Sequence, residues 1–292
     1  MHHHLAVRVE VVGLSLAAAF LYALTSVLQH QSASQVAPER SMRLSLLVEL
    51  LRRPRWLLSN AVDGGAYLFQ FLALRAGSLL VVQTLLVFGL VFTLPLAAAE
   101  QSTKPRIQDW AATAAIVAGL ALFLGVTSPD VGAGETSAEG WLFVVGVVGA
   151  LIAALLVSAP KRPGPPRAAA LGAACGVLYG FTAALGKACG HLLDHGALHA
   201  LVSWEPYALA ALGLFGVLLA QSAFQAGPLE ASLPLLTITD PIVASFIGVA
   251  AFHERLSTGG RHGLAAVAAV VLLVAGVASL SRSPLVVGSE RQ

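Results

Sequence analysis

Residues 14–28 read LSLAAAFLYALTSVL, and residues 171–185 read LGAACGVLYGFTAAL. The two stretches align so that Tyr22 lies opposite Tyr179. Self-similarity between distant parts of a chain is the sequence sign of repeated structural units. These two stretches therefore predict a fold made of two related halves.

The composition indicates that this fold lies in a membrane. Apolar residues make up 57% of the 292 residues and charged residues only 11%, where soluble proteins carry roughly 25% charged residues. Mean hydropathy is +0.80. The net charge of +2 lacks the strongly basic balance of nucleic-acid-binding proteins. We therefore expect the lipid bilayer, and no nucleic acid, as a partner.

Apolar runs of about 20 residues, long enough to cross the hydrocarbon core as helices, recur along the chain. We expect an all-α polytopic membrane protein with about nine transmembrane helices. A stretch of mixed apolar and cationic residues near 41–55 predicts a helix on the membrane surface. The nine spans lie near residues 11–31, 56–75, 78–99, 107–126, 138–158, 167–190, 203–225, 229–252 and 262–281.

A second pair of matching segments extends the repeat. ALRAG at 73–77 matches AFQAG at 223–227, and each is followed by an apolar span that ends in an acid, Glu100 or Glu254. Spans one to four thus resemble spans six to nine, and span five is a linker. Because five spans separate equivalent helices, the second half enters the membrane upside down, as in transporters with inverted repeats.

This organisation divides the chain into five segments, which we expect in the following order. They are an N-terminal segment (1–10), a first repeat (11–126), a linker helix (138–158), a second, inverted repeat (167–281) and a tail (282–292).

The distribution of Lys and Arg indicates how the chain is oriented in the membrane, since these residues accumulate in cytoplasmic loops. With nine spans the termini lie on opposite sides. Of the 17 Lys and Arg, five fall on the amino-terminal side and twelve on the other. We therefore expect a multi-pass protein of the cell (inner or plasma) membrane, with its N-terminus outside and its C-terminus in the cytoplasm.

Two carboxylates lie inside predicted spans. Asp63 is in span two and Asp240 in span eight, where a charge costs roughly 2.5–3.5 kcal/mol unless it is paired. Intramembrane acids usually belong to an ion or substrate pathway, and these two could share one cavity and bind a metal cation or a proton. The alternative is that each bonds to a neighbouring helix. Gly64-Gly65 permits a close approach or a break in span two.

The surroundings of Asp240 favour a binding site. Pro241 follows it directly, and a proline within a helix frees a backbone carbonyl for an ion or water. The further candidates for substrate or ion binding are neutral polar residues, although such residues also join helices to one another. These candidates are Thr237, Thr239, Tyr22, Tyr179 and Gln83. Lys187, near the outer end of span six, is expected to snorkel to the membrane surface.

His191, His195 and His199 lie four residues apart, a spacing that lines one helical face and would suit a transition metal. The alternative is a solvated polar segment, since Gly196 interrupts the helix. Hydrolase, ATPase and zincin motifs do not occur in the sequence. We therefore expect no enzymatic activity and no cofactor.

Short motifs carry a family resemblance. Residues 73–78 (ALRAGS) and 252–256 (FHERL) resemble the entry and the acidic exit of a span in the drug/metabolite transporter (EamA-like) superfamily. The nine spans are similar to those of its NIPA-like magnesium transporter branch. The chain departs from that branch at two places: Leu68 stands where the branch has Asn, and Val82-Gln83-Thr84 lacks the proline of its Thr-Pro pair. The resemblance implies transport of a small solute or cation, Mg²⁺ among them.

The repeat and the two intramembrane acids together favour a carrier. In such a carrier the two halves rock against each other and expose one site to each side of the membrane in turn. Two alternatives stay open at this point. One is a proton-coupled metabolite or drug exporter, and the other is a non-transporting membrane scaffold or lipid-binding protein. A homodimer is also left open by the sequence.

Overall fold

A computed structural model of the chain describes residues 2–33, 50–89, 91–93, 95–96, 104, 106–126, 136–227, 229–254 and 261–280. Within these ranges the structure is helical and contains no strand. The all-α prediction is therefore confirmed. The helices are α1 (His2–Ala33), α2 (Pro54–Ala76), α3 (Leu79–Leu86), α4 (Ile107–Val126), α5 (Ala138–Ser158), α6 (Pro165–Asp194), α7 (Ala197–Val202), α8 (Glu205–Ala226), α9 (Leu229–Ala250) and α10 (Arg261–Leu280).

Within the described part of the chain, four helical segments are long and apolar enough to cross a membrane: Val9–Ser26 of α1, and the helices α5, α6 and α8. Shorter apolar helical stretches occupy Leu235–Ala250 of α9 and Gly263–Ser279 of α10. The chain is thus a helical membrane protein, and the count of nine spans stays a prediction.

The start of α2 is marked in the sequence by a proline. Pro54 occupies the first turn of α2, a position that tolerates proline because the first N–H groups of a helix have no intrahelical partner. The helix predicted on the membrane surface near 41–55 therefore does not extend to residue 55. Leu50, within that predicted helix, is helical, and residues 41–49 lie outside the described residues.

The helix α6 is the centre of the bundle. It is buried along most of its length and packs against α9, α8, α5 and α2. In the other half α1 packs against α2 and α3, while α3 contacts α9 and α4 contacts α10. Every described helix of the first half therefore contacts the second half or a helix that does.

Exposed apolar side chains surround this centre. Only 17% of α5 is buried inside the protein, and Leu142, Phe143 and Val157 are exposed on it. A soluble protein rarely exposes an apolar surface of this extent, whereas lipid tails solvate it. The exposed apolar side chains of α5 therefore indicate that this helix faces lipid.

Contacts between helix ends define one end of the bundle. Val11 near the start of α1 meets Gly77 at the end of α2, and Arg75 meets Gly190 near the end of α6. Thr136, just before α5, donates a hydrogen bond to the carbonyl of Ala251 after α9. We call this end the N-terminal face.

Candidate functional site

A cavity of about 620 Å³ lies among α1, α2, α3, α6, α8 and α9. Asp63 on α2 and Asp240 on α9 both line it. The structure therefore brings together the two acids that the sequence singled out, although they come from different halves of the chain. Tyr22, Tyr179, Gln83 and Thr237 also line the cavity.

A chain of hydrogen bonds joins four helices, α1, α2, α3 and α9, along the cavity wall. The hydroxyl of Tyr22 donates to Oε1 of Gln70 at 2.6 Å, and Nε2 of Gln70 lies 3.5 Å from Oε1 of Gln83. Nε2 of Gln83 in turn donates to Oδ1 of Asp240 at 3.0 Å. This chain orients one oxygen of Asp240 and leaves its other oxygen outside the chain.

Asp63 has a separate partner. The hydroxyl of Thr25 lies 3.2 Å from Oδ1 of Asp63 and 3.0 Å from the carbonyl oxygen of Tyr22. Thr25 belongs to α1, whereas the amide that bonds to Asp240 belongs to α3. The two acids are thus anchored by different neighbours within one cavity.

A seam of glycines sets the position of Asp240. Gly172, Gly176 and Gly180 recur every fourth residue on α6, and a Cβ atom at any of them would lie 2.4–2.7 Å from a backbone oxygen of α9. For Gly180 that oxygen belongs to Asp240 itself. Small residues at this spacing let two helix backbones approach closely in a membrane.

The neighbours of Asp240 differ in their placement. Thr237 and Pro241 line the cavity, and because proline has no N–H, the carbonyl of Thr237 lacks its usual helical donor. Thr239 does not line the cavity, because its Cβ faces Gly176 of α6. Residues two apart on a helix point in different directions, so the sequence-based assignment of Thr239 to the site is wrong.

Of the two arrangements that Gly64-Gly65 permits, a break in the helix does not occur, since α2 runs unbroken from Pro54 to Ala76. Gly64 lines the cavity, and a Cβ atom at this position would meet no other described atom within 4 Å. Its lack of a side chain leaves space in the wall rather than permitting a close helix contact.

Two residues on one polar face of α2, Asn60 and Tyr67, were not predicted from the sequence. Asn60, Tyr67 and Gln70 all line the cavity together with Asp63. Their spacing of three or four residues, which places side chains on one helical face, was the available signal. The hydroxyl of Tyr67 is buried and has no hydrogen-bond partner among the described residues.

The second half contributes its own polar groups. Tyr179 and Thr182 of α6 line the cavity, as does Gln221 of α8. Nε2 of Gln221 donates to Oε1 of Gln29 at 3.1 Å, whereas Oε1 of Gln221 is buried without a partner in the described part of the chain.

Lys187 does not snorkel, contrary to the expectation from the sequence. Its side chain is only 4% exposed and forms an ion pair with Glu254, whose side chain is 1% exposed. Its ammonium group also lies 5.1 Å from the ring centroid of Phe252. A partner distant in the sequence, which the position of Lys187 did not reveal, keeps the ammonium group inside the bundle.

Glu254 also caps a helix of the other half. Its carboxylate accepts hydrogen bonds from the backbone N–H groups of Leu79, at 2.7 Å, and Leu80, at 3.1 Å. These N–H groups begin α3 and have no partner within their own helix. His253, with φ of 53°, turns the chain after α9 so that Glu254 reaches this position.

The three histidines do not share one helical face. α6 ends at Asp194, and His199 lies on the separate helix α7 because Gly196, with φ of 116°, breaks the chain between them. His191 and His195 remain in contact, with Nε2 atoms 3.2 Å apart. No group of three or more His, Cys, Asp or Glu within the described ranges is arranged to hold a metal ion.

Comparison with known proteins gives one informative relationship. No family model matches the chain, and no solved structure matches it significantly. An uncharacterized protein of Corynebacterium glutamicum is 32% identical over 281 residues, which cover 95% of this chain and 96% of the relative. The chain therefore belongs to the same family as this corynebacterial protein.

Proposed function

We propose that the protein is a transporter of the drug/metabolite type that moves a small solute or cation across the membrane by alternating access. The single observation that carries this proposal is the cavity of about 620 Å³ that contains both Asp63 and Asp240. Its volume lies within the range of small-molecule sites, about 300–1,000 Å³. Acids in a membrane helix that face such a cavity are typical of a substrate or ion pathway.

Equivalent contacts in the two halves support the repeat on which alternating access depends. Gly77 after α2 meets Val11 of α1, and Gly227 after α8 meets Ala168 of α6. Both pairs follow from the sequence alignment of the repeats. The hydroxyls of Thr25 and Thr182 likewise each bond to the carbonyl three residues before them.

Helix directions support an inverted arrangement of these halves. α1 starts at the N-terminal face, where α2 and α6 both end. α1 and α6 therefore run in opposite directions although their sequences match. Transporters built in this way bind their substrates between the halves near the middle of the membrane.

The cavity argues against the alternative of a non-transporting scaffold. A scaffold would have no reason to keep two carboxylates beside an open volume, since burying a charge is costly unless partners compensate it. Among the described residues, Thr25 and Gln83 each supply one neutral donor to these acids. The other carboxylate oxygen of each acid would then bind a solute, an ion or a proton.

The proposal is tested by flux into proteoliposomes that contain the purified protein, with a panel of metal ions and metabolites as cargo. Asp63→Asn and Asp240→Asn should each abolish the flux that the wild type supports. Asp194→Asn is the matched control, because Asp194 pairs with Arg75 at the surface and does not line the cavity. Wild-type flux in both cavity variants would refute the proposal.

A further inference from the structure

The electrostatics of the cavity restrict what can occupy it. Among the described residues that line it there are two carboxylates, Asp63 and Asp240, and no Lys, Arg or His. An anionic solute would meet like charges there, and juxtaposed like charges cost several kcal/mol at an interface. The negative charge of the residues that line the cavity therefore favours a positively charged occupant.

Further acceptors lie on two other parts of the wall. Gln221 is 1% exposed, and its Oε1 has no hydrogen-bond partner among the described residues. A buried acceptor without a partner is costly, so its presence in the wall points to a donor that arrives with a ligand. The carbonyl of Thr237, freed by Pro241, adds another acceptor beside Asp240.

The size and shape of the cavity favour an extended occupant over a single metal ion. Tyr22, Gln70 and Gln83 intervene between the surroundings of Asp63 and Asp240. A metal ion with six waters occupies about 180 Å³ at ~30 Å³ per water, which is well below the cavity volume of about 620 Å³.

The remaining lining suits hydrocarbon and aromatic contact. Val217, Phe224 and Leu236 are among the apolar residues of the wall. The rings of Tyr22, Tyr67 and Tyr179 also line it, and the face of an aromatic ring attracts an ammonium group. An occupant with both an alkyl part and a cationic nitrogen would match these walls.

We propose that the substrate is an organic ammonium compound, an alkyl amine or diamine, whose N–H groups bind Asp63, Asp240 and the amide oxygen of Gln221. This inference rests on the proposed function, because it assigns a substrate class to the same cavity. Asp63 and Asp240 supply the charge, and Gln221 selects for a nitrogen that still carries hydrogen.

The test measures binding to purified protein in nanodiscs by isothermal calorimetry. The probes are straight-chain primary amines and α,ω-diamines of two to eight carbons. Three controls keep the size but change the charge: 1,4-butanediol is neutral, succinate is anionic, and MgCl₂ supplies the metal ion alone. A tetramethylated and a hexamethylated diamine separate charge from N–H donation.

We expect at least one amine to bind and the neutral and anionic controls not to bind. Asp63→Asn and Asp240→Asn should weaken this binding about tenfold or more, while Gln221→Leu should reduce the preference for primary over hexamethylated amines. Asp194→Asn should bind as the wild type does. Circular dichroism of each variant checks that it is folded.

The inference would be overturned if succinate or butanediol bound and no amine did. It would also be overturned if Mg²⁺ were the one probe that bound, or if none of the probes bound. The same probes in proteoliposomes separate the two proposals. Amine binding without flux would refute transport and retain the ligand class, whereas flux of an anion would refute the ligand class and retain transport.

Discussion

The buried ion pair between Lys187 and Glu254 predicts an unequal response to mutation. Removing one partner of a buried pair leaves an uncompensated charge and costs about 3–5 kcal/mol. In Glu254→Gln the ammonium of Lys187, 4% exposed, loses its counter-charge, so we expect that full cost. In Lys187→Met the carboxylate keeps the N–H groups of Leu79 and Leu80, so we expect only about 1–3 kcal/mol.

The double variant Lys187→Met/Glu254→Gln carries neither charge, and its amide oxygen can still accept a hydrogen bond from α3. We expect it to cost about 1–2 kcal/mol, because replacing both partners of a buried pair is often nearly neutral. The cost of the two single variants together should therefore exceed that of the double variant by at least ~2 kcal/mol.

The assay is reversible unfolding in mixed micelles, followed by tryptophan fluorescence. A second double-mutant cycle on Arg75 and Asp194 is the control, because that ion pair has side-chain exposures of 37% and 50%. An exposed pair contributes about 0–1 kcal/mol. A coupling energy for Lys187 and Glu254 that is no larger than that of the exposed pair would contradict the predicted cost of an unpaired buried charge.

Three further predictions concern packing and the cavity wall. Gly176→Ala should destabilise the protein, since the added Cβ would lie 2.5 Å from the carbonyl oxygen of Leu236. Gly146→Ala, whose Cβ would have no described neighbour within 4 Å, should stabilise it by about 0.5–1 kcal/mol. Thermal unfolding should therefore show a lower midpoint for the first variant and a higher midpoint for the second. Gln83→Leu removes the donor to Asp240 and should cost about 1–3 kcal/mol in the micelle assay, and an unchanged stability would contradict the hydrogen-bond chain. Trp141→Ala removes a ring that contacts Phe181, Trp204 and Phe252, for which we expect a loss of about 3–5 kcal/mol in that same assay.

Several features of the fold could be predicted because they depend on local properties of the chain. The bounds of α4 and α5 agree with the apolar runs at 107–126 and 138–158, since the length and hydropathy of a run decide whether it forms a helix in lipid. The match between Tyr22 and Tyr179 is also visible in the sequence, and the repeat that it indicates stays a prediction.

The site could be predicted only in part. Asp63 and Asp240 were found because a charge in an apolar run is conspicuous without any structure. Thr239 was placed wrongly, because the face of α9 that meets the cavity depends on how α9 packs against Gly176. The pattern of residues within one helix does not contain that information.

The amino-acid sequence alone was enough to show that the chain is helical and apolar, because helix formation and membrane partition are sums over neighbouring residues. Which side chains meet depends on how the helices pack in three dimensions. This packing brought Asp63 and Asp240 to one cavity, and it joined Lys187 to Glu254 across 67 residues of chain. Such contacts depend on the relative rotation and distance of packed helices, which are set by side chains on both partners at once.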